Sequence, residues 1–118
     1  MRISSEKKKE LKKQYQLLRP DMGLIAVINK SSSKHYLETA RNLPGILNST
    51  VFRLKTGKHH NRELQQDWQW LGSDGFEIKV LEKLDYDDDE SKTDYEDDLQ
   101  LLKMIWIEKL TAGDIPLY

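Results

Sequence analysis

Gly23-Leu24-Ile25-Ala26-Val27-Ile28-Asn29, then Lys30-Ser31-Ser32-Ser33, then Lys34-His35-Tyr36-Leu37-Glu38: this stretch decides the fold. A short apolar, β-branched arm meets a polar, turn-prone break, and a second arm carries Tyr36 and Leu37 before the pattern changes at Thr39. That pattern is a β-hairpin. Two strands alone are not stable in water, so the rest of the chain has to cover them.

The chain has 118 residues and 37% apolar content, enough for one small globular domain with a single core. It has no cysteine, which excludes disulfides, thiol catalysis and thiolate metal sites and leaves a reducing compartment unopposed. The opening Met1-Arg2-Ile3-Ser4-Ser5-Glu6-Lys7-Lys8-Lys9 leads into a charged helix rather than a secretory signal, and no apolar run approaches a membrane span. A cytoplasmic protein with no membrane partner is expected.

The net charge of -1 hides a division. Residues 1–66 hold 14 Lys and Arg against 5 Asp and Glu, a net of +9, whereas residues 67–118 hold 5 against 15, a net of -10. Either the basic half addresses a polyanion, or the two halves face each other in the fold.

Upstream of the hairpin, residues 4–18 read as a helix capped by Ser4 or Ser5, with Leu11, Tyr15 and Leu18 inward and Pro20 ending it. Its Lys7, Lys8, Lys9, Lys12 and Lys13 either grip phosphates or form a solvated face. Downstream, Asn42 caps a helix with the stripe Leu43, Leu47, Val51 and Leu54, flanked by Ile46 and Thr50 and closed by Gly57. Pro44 suits a first turn, while Gly45 weakens it. Asn61 caps a second helix that turns Leu64, Trp68 and Leu71 inward and stops at Gly72. Phe76, Ile78, Val80 and Leu84 predict a third strand with Glu77, Lys79 and Glu82 largely on its other face, and residues 93–110 a last helix on Tyr95, Leu99, Leu102, Trp106 and Leu110. The sum is an α/β fold, a small three-stranded, mostly antiparallel sheet flanked by helices, with an extra N-terminal helix.

Two other signals have a chemical and a plain interpretation. Asp85, Asp87, Asp89 and Glu96 fall at positions 1, 3, 5 and 12 of a calcium-binding EF-hand loop, but Glu90 stands where the sharp turn needs glycine and the entering segment is a strand, so a solvated acidic loop over 85–98 is expected. His35, His59 and His60 lack the i, i+4 spacing and acidic partners of a zinc site, which leaves surface or satisfied histidines and no metal site; His59 and His60 remain candidates for phosphate contact.

The order and spacing of these strings resemble the GIY-YIG nuclease family, small α/β domains that hydrolyse a DNA phosphodiester with a divalent metal. Gly23-Leu24-Ile25 stands where the family has Gly-Ile-Tyr, and Tyr36-Leu37-Glu38 where it has Tyr-Ile-Gly. The string Leu54-Lys55-Thr56-Gly57-Lys58-His59-His60-Asn61-Arg62-Glu63-Leu64-Gln65-Gln66-Asp67-Trp68 is similar to the stretch between the middle helices of phage-type and Gram-positive bacterial members. Phe76-Glu77-Ile78-Lys79-Val80-Leu81-Glu82 resembles their third strand, and Trp106-Ile107-Glu108-Lys109-Leu110 the end of the following helix. The resemblance spans residues 21–110, setting apart an N-terminal basic helix over 1–20 and a C-terminal tail over 111–118.

The family's catalytic positions are mostly replaced. The resemblance implies Tyr36 as the retained catalytic tyrosine, whereas Ile25 stands for the other tyrosine, Ile46 for the arginine that neutralises the scissile phosphate, and Lys103 for the metal-holding glutamate. Glu38 replaces a glycine, and no later asparagine follows in residues 111–118. What this implies is a catalytically degenerate, nuclease-like domain that needs no cofactor and binds nucleic acid, DNA first, through Lys34, Arg41, Arg53, Lys55, Lys58, His59, Asn61 and Arg62. Two alternatives stand beside it: a magnesium- or manganese-dependent endonuclease with a rearranged site, in which Arg41 or Arg53 and Glu108 substitute for the missing groups, and a protein interaction module. Tyr36 is then either a reacting group or a strand tyrosine that packs its ring and bonds its hydroxyl locally.

Overall fold

The computed structural model describes residues 5–8, 10 and 19–118. The helix expected over 4–18, with its inward Leu11, Tyr15 and Leu18, lies almost wholly outside the described residues; residues 5–8 and 10 are helical. The hairpin forms as expected, β1 (Met22–Asn29) pairing antiparallel with β2 (His35–Ala40) so that Ile25 faces Glu38 and Val27 faces Tyr36. β3 (Phe76–Leu84) pairs antiparallel with the other edge of β1, giving the order β2-β1-β3.

An unbroken apolar run in the middle strand can be satisfied only if both faces of the sheet are covered. Met22, Leu24, Ile25, Ala26 and Val27 are accordingly all buried. Helices α1 (Leu43–Thr56) and α2 (Arg62–Leu71) cover one face, packing Leu54, Leu64 and Trp68 on Val27 and Phe76. Helix α3 (Glu96–Ala112) covers the other, with Leu102 and Leu110 on Leu24, Ala26 and Leu37, while Leu99 and Tyr95 close over Met22. Each such side chain fully removed from water contributes roughly 1.5–3 kcal/mol.

The caps follow the sequence. Asn42 accepts from the Gly45 amide at 3.0 Å and Asn61 from the Leu64 amide at 3.0 Å. Gly57 ends α1 in the left-handed region at φ 76°. Gly45 has a local reason, because a Cβ there would sit 3.1 Å from the capping Asn42 side chain.

The structure departs from the expected pattern in β3 and at the end of α2. The register of β3 slips between Leu24 and Ile25, leaving Leu81 as a bulge, so Leu84 crosses to the α3 face with Met22 instead of staying with Phe76 and Ile78. Leu71 is 39% exposed because α2 has run past the sheet; its side chain covers the 3-10 turn Ser73–Gly75, where a Gly75 Cβ would meet it at 2.9 Å. Thr50, expected near the core side beside the α1 stripe, is fully buried there. The segment set apart as a tail is docked, since α3 runs to Ala112 and Leu117 forms a parallel bridge with His35, capping part of the free edge of β2. Its Tyr118 hydroxyl donates to Asp67 at 2.7 Å and accepts from Asn29 at 3.1 Å, tying the end of the chain to α2 and to β1. The acidic run is a loop as expected, and its helix begins at Glu96 rather than 93.

The bulge explains the first glycine of the hairpin. A Cβ on Gly23 would lie 2.2 Å from the Glu82 carbonyl oxygen and 2.9 Å from the Lys83 Cα, both main-chain atoms that cannot step aside. Gly57, by contrast, needs its backbone freedom while its Cβ would meet only the end of the Gln69 side chain at 3.3 Å. Gly23→Ala is expected to cost about 3 kcal/mol or more in urea unfolding, an overpacking penalty against backbone, and Gly57→Ala only about 1–2 kcal/mol. Equal losses from the two would contradict this ordering.

Candidate active site

Tyr36 and Glu38 share the face of β2 that looks towards α1 and α2, because residues two apart on a strand point the same way. The connection from Lys58 to Asn61 is only four residues long, fixed at one end by the left-handed Gly57 and at the other by the Asn61 cap. It therefore turns back over the sheet and lays both histidines against Tyr36. The Tyr36 hydroxyl lies 2.9 Å from His60 Nε2 and 3.3 Å from Glu38 Oε2. Its single proton is donated to the carboxylate, so the oxygen accepts from His60 Nε2–H. The His59 ring stands edge-on to the Tyr36 ring, centroids 4.9 Å apart, and stacks on His60 at 4.6 Å.

The two histidines are not equivalent. His59 is buried, its amide donates to Gln65 Oε1 at 3.0 Å, and its Nδ1 accepts from the Asn61 amide at 3.0 Å. The ring proton therefore sits on Nε2, which is buried without a hydrogen-bond partner among the described residues, as is the Thr50 hydroxyl. Gln65 in turn donates to the Leu54 carbonyl at 2.9 Å and locks the connection to the end of α1. Burial first, then the neighbouring His60 and Arg53 charges, pull the His59 pKa down to about 4. Tyr36 moves the opposite way: burial, then the Glu38 carboxylate, raise its pKa well above that of a free tyrosine, and the Arg53 charge offsets only part. The phenolate is thus disfavoured, and Tyr36 is a weak candidate for a base.

The expected site residues separate when placed. Tyr36 and Lys103 come together, lining one cleft of about 200 Å³ with His35, Ile107, Leu117 and Tyr118. Ile25 is fully buried opposite Glu38, and Ile46 is half-buried in the first turn of α1. Glu108 is exposed on α3, and nothing brings it to Tyr36. Among the described residues, no three His, Asp or Glu side chains converge as a metal site. In the acidic loop Asp87 and Asp89 instead accept from the Asp89 and Ser91 amides, and Asp94 from the Glu96 amide.

The eight residues expected at a nucleic-acid face also divide. Arg53 is half-buried beside Tyr36, and Lys55, Lys58 and Arg62 are exposed on or next to the same connection. None of these four makes an ion pair among the described residues. Lys34 is ion-paired with Glu63 and sits over the Tyr118 ring at 5.0 Å. Asn61 uses its side chain as a cap. His59, expected to meet phosphate, is 5% exposed and packs behind Tyr36, a correction that follows from the shortness of the connection. Arg41 donates to the Thr93 carbonyl, five residues and roughly 16 Å along the strand from Tyr36. Sequence reasoning named Glu38 only as a lost glycine and His60 only as a candidate for phosphate contact, and did not single out Gln65 or Tyr118; for the place of the histidine, the four-residue span between two strong caps was the available signal.

No protein-family profile matches the chain, and no curated protein matches it. Two solved structures share its fold at 21% identity and a TM-score of 0.63: a mutant of the catalytic domain of intron endonuclease I-TevI, over 81% of this chain and 90% of that one, and the catalytic domain of homing endonuclease I-TevI, over 80% and 94%. The GIY-YIG-like fold implied by the hairpin and the third strand is the fold the chain has.

His59 supplies a test of the packing around Tyr36. A group held neutral in the fold at a pKa of about 4 and released to its ordinary 6.5 on unfolding binds more protons in the unfolded chain between those values. Its contribution to stability is complete above about pH 6.5 and is lost as the pH falls towards about 4. NMR titration is expected to show the Nε2–H tautomer of His59 persisting to below about pH 5, with the urea midpoint falling over the same window. A ring that titrates near its ordinary value would mean that it does not pack behind Tyr36.

Proposed function

We propose that this chain is a nuclease-like domain that binds duplex DNA through the surface around Tyr36 and does not cut it. The observation that carries this reading is the charge at that place. Arg53 is felt by both Tyr36 and His59, Lys103 lines the same cleft, and Lys55, Lys58 and Arg62 stand on or beside the connection that delivers His60 to the tyrosine hydroxyl. Cations so arranged neutralise phosphates and release counterions, which supplies affinity without sequence information. The likeness to an endonuclease catalytic domain supports DNA as the polyanion.

The same cations argue against hydrolysis. Metal-assisted cleavage needs carboxylates that hold a divalent ion and let it acidify a water; Lys103 at the implied position repels such an ion, and an ammonium cannot replace its effect on water. A missing preorganised cationic donor at Ile46 costs on the order of a hundredfold in rate. Glu38 holds the one retained tyrosine in its neutral form. Binding without cutting is the function these residues serve together, in a cytoplasmic setting that the cysteine-free composition permits.

Fluorescence anisotropy with a short duplex is expected to show affinity falling steeply with salt, and Lys58→Gln and Arg62→Gln each to lower the log-log slope by about 1. Lys34→Gln, which removes a cation already paired with Glu63, changes it less. Supercoiled plasmid with magnesium or manganese stays intact. Salt-insensitive binding removes the proposal, and so does plasmid cleavage by the wild type that Tyr36→Phe abolishes.

A further inference from the structure

Six large hydrophobic side chains are exposed among the described residues, and three of them, Leu101, Met104 and Ile105, fall within five residues of α3. They are 58%, 65% and 42% exposed, and their i, i+3, i+4 spacing puts them on one stripe of the helix. The side of α3 that faces the sheet is already used by Leu99, Leu102 and Leu110, so the sheet does not meet this stripe. Single exposed hydrophobics are ordinary, whereas a contiguous group of three marks a contact surface. Asp97 and Glu108 extend the stripe at its two ends, both exposed and neither ion-paired among the described residues.

What can reach the stripe is set by the point where the chain enters the fold. The Tyr86 hydroxyl donates to the Pro20 carbonyl at 2.7 Å, and Arg19 lies over the Tyr86 ring at 4.9 Å. Tyr86 in turn meets Tyr95, the residue that precedes α3, edge to face with centroids 5.3 Å apart. Residues 19 and 20 are thus held at the start of α3. The sequence before them complements the stripe, with Leu11, Tyr15 and Leu18 at i, i+4, i+7 and Lys8 and Lys12 beside them. Residues 4–18 carry five lysines against two glutamates, and α3 four acids against two lysines, so the two segments are of opposite sign. A helix over residues 4–18 is about 22 Å long, and the stripe from Asp97 to Glu108 about 17 Å.

We propose that the face made by Leu101, Met104 and Ile105 is the docking site of the chain's own residues 4–18, laid antiparallel along α3. The anchor at Pro20 sets the register. With Pro20 level with Tyr95 and both helices rising about 1.5 Å per residue, Leu18 comes level with Asp97, Tyr15 with Leu101, Leu11 with Met104 and Ile105, and Lys8 with Glu108. Apolar side chains then meet apolar ones, and a lysine ammonium meets the carboxylate that ends the stripe. Antiparallel helices also set their dipoles head to tail. Lys103 and Ile107 reach the cleft at Tyr36 from a different side of α3, so the docked segment leaves that cleft open, and the inference stands whether or not this chain binds DNA.

The chain has no cysteine, so introduced pairs can be read without interference. In the full chain at low micromolar concentration, Leu11→Cys with Ile105→Cys and Tyr15→Cys with Leu101→Cys are oxidised with diamide and followed by mass spectrometry. Both pairs are expected to close a disulfide within one chain, because facing Cα atoms of packed helices come within the roughly 7 Å that a disulfide spans. Each should close at least about tenfold faster than Leu11→Cys with Phe52→Cys, whose second site is also exposed but lies on α1. Leu101, Ile105 and Phe52 lie outside the buried core, so these exchanges leave it intact, and the second pair keeps the test open if the first is poorly placed. Independently, 15N-resolved spectra of Leu11→Asp are expected to show shifts at the Leu101 and Ile105 amides. Disulfides formed only between two chains, which would assign the face to a second copy, overturn the proposal. Closure of both pairs no faster than the Phe52 control, or Leu101 and Ile105 amides unmoved by Leu11→Asp, overturns it as well.

Discussion

The structure depends on the burial of β1 on both faces. An alternating strand would need one covering layer, but Leu24, Ile25, Ala26 and Val27 in succession need two, and that demand places α3 on one side and the α1–α2 pair on the other. It also brings β3 so near the start of the hairpin that only glycine fits at position 23, against the Glu82 carbonyl. The bulge at Leu81 belongs to the same constraint. By reversing the phase of β3 it sends Phe76 and Ile78 to the α1–α2 layer and Leu84 to the α3 layer, so one short strand supplies both cores.

What was legible in the sequence was what local chemistry dictates. Asn42, Gly57, Asn61 and Gly72 mark helix ends because their side chains or backbone freedom act on amides only a few residues away. The strand phase beyond Leu81 was not legible, since a bulge arises from pairing with β1 and leaves no mark in β3 itself. The burial of Gln65 was hidden for a similar reason. Its amide is satisfied by Leu54 and His59, which lie in another helix and in the connection. Tyr118 was invisible as a packing residue because its partners Asn29 and Asp67 are 89 and 51 positions away.

At the candidate site the outcome is mixed for one physical reason. The family resemblance implied which groups to look for as absent, a second tyrosine at Ile25 and a carboxylate at Lys103. It did not tell what the retained Tyr36 would touch. Glu38, noted only as the loss of a glycine, proves to be the acceptor for the Tyr36 proton, and His60, noted as a surface histidine, its second partner. A strand residue two positions on lies on the same face by geometry alone, so the Glu38 contact could have been drawn from the hairpin; the His60 contact needed the path of the connection.

The division of charge between the halves shows itself in where the described charges lie. Had the basic half been balanced by the acidic half, the cations of the α1–α2 connection would face the carboxylates of residues 67–118. The described ion pairs do not run that way. Lys34 pairs with Glu63 inside the first half, Lys92 with Asp98 inside the second, and Lys83 with Asp21 joins a base of the second half to an acid of the first. Arg53, Lys55, Lys58 and Arg62 are matched by none of them. Charges exposed in this way are screened over about 8 Å at physiological salt, a length comparable to the distance over which a docked phosphate backbone would be felt. In the acidic loop Asp87 and Asp89 meanwhile accept from amides of the loop itself, and Asp98 pairs with Lys92. Among the described ion pairs the cations of the α1–α2 connection are therefore not matched by the acids of the second half, and they stand as a surface of their own sign.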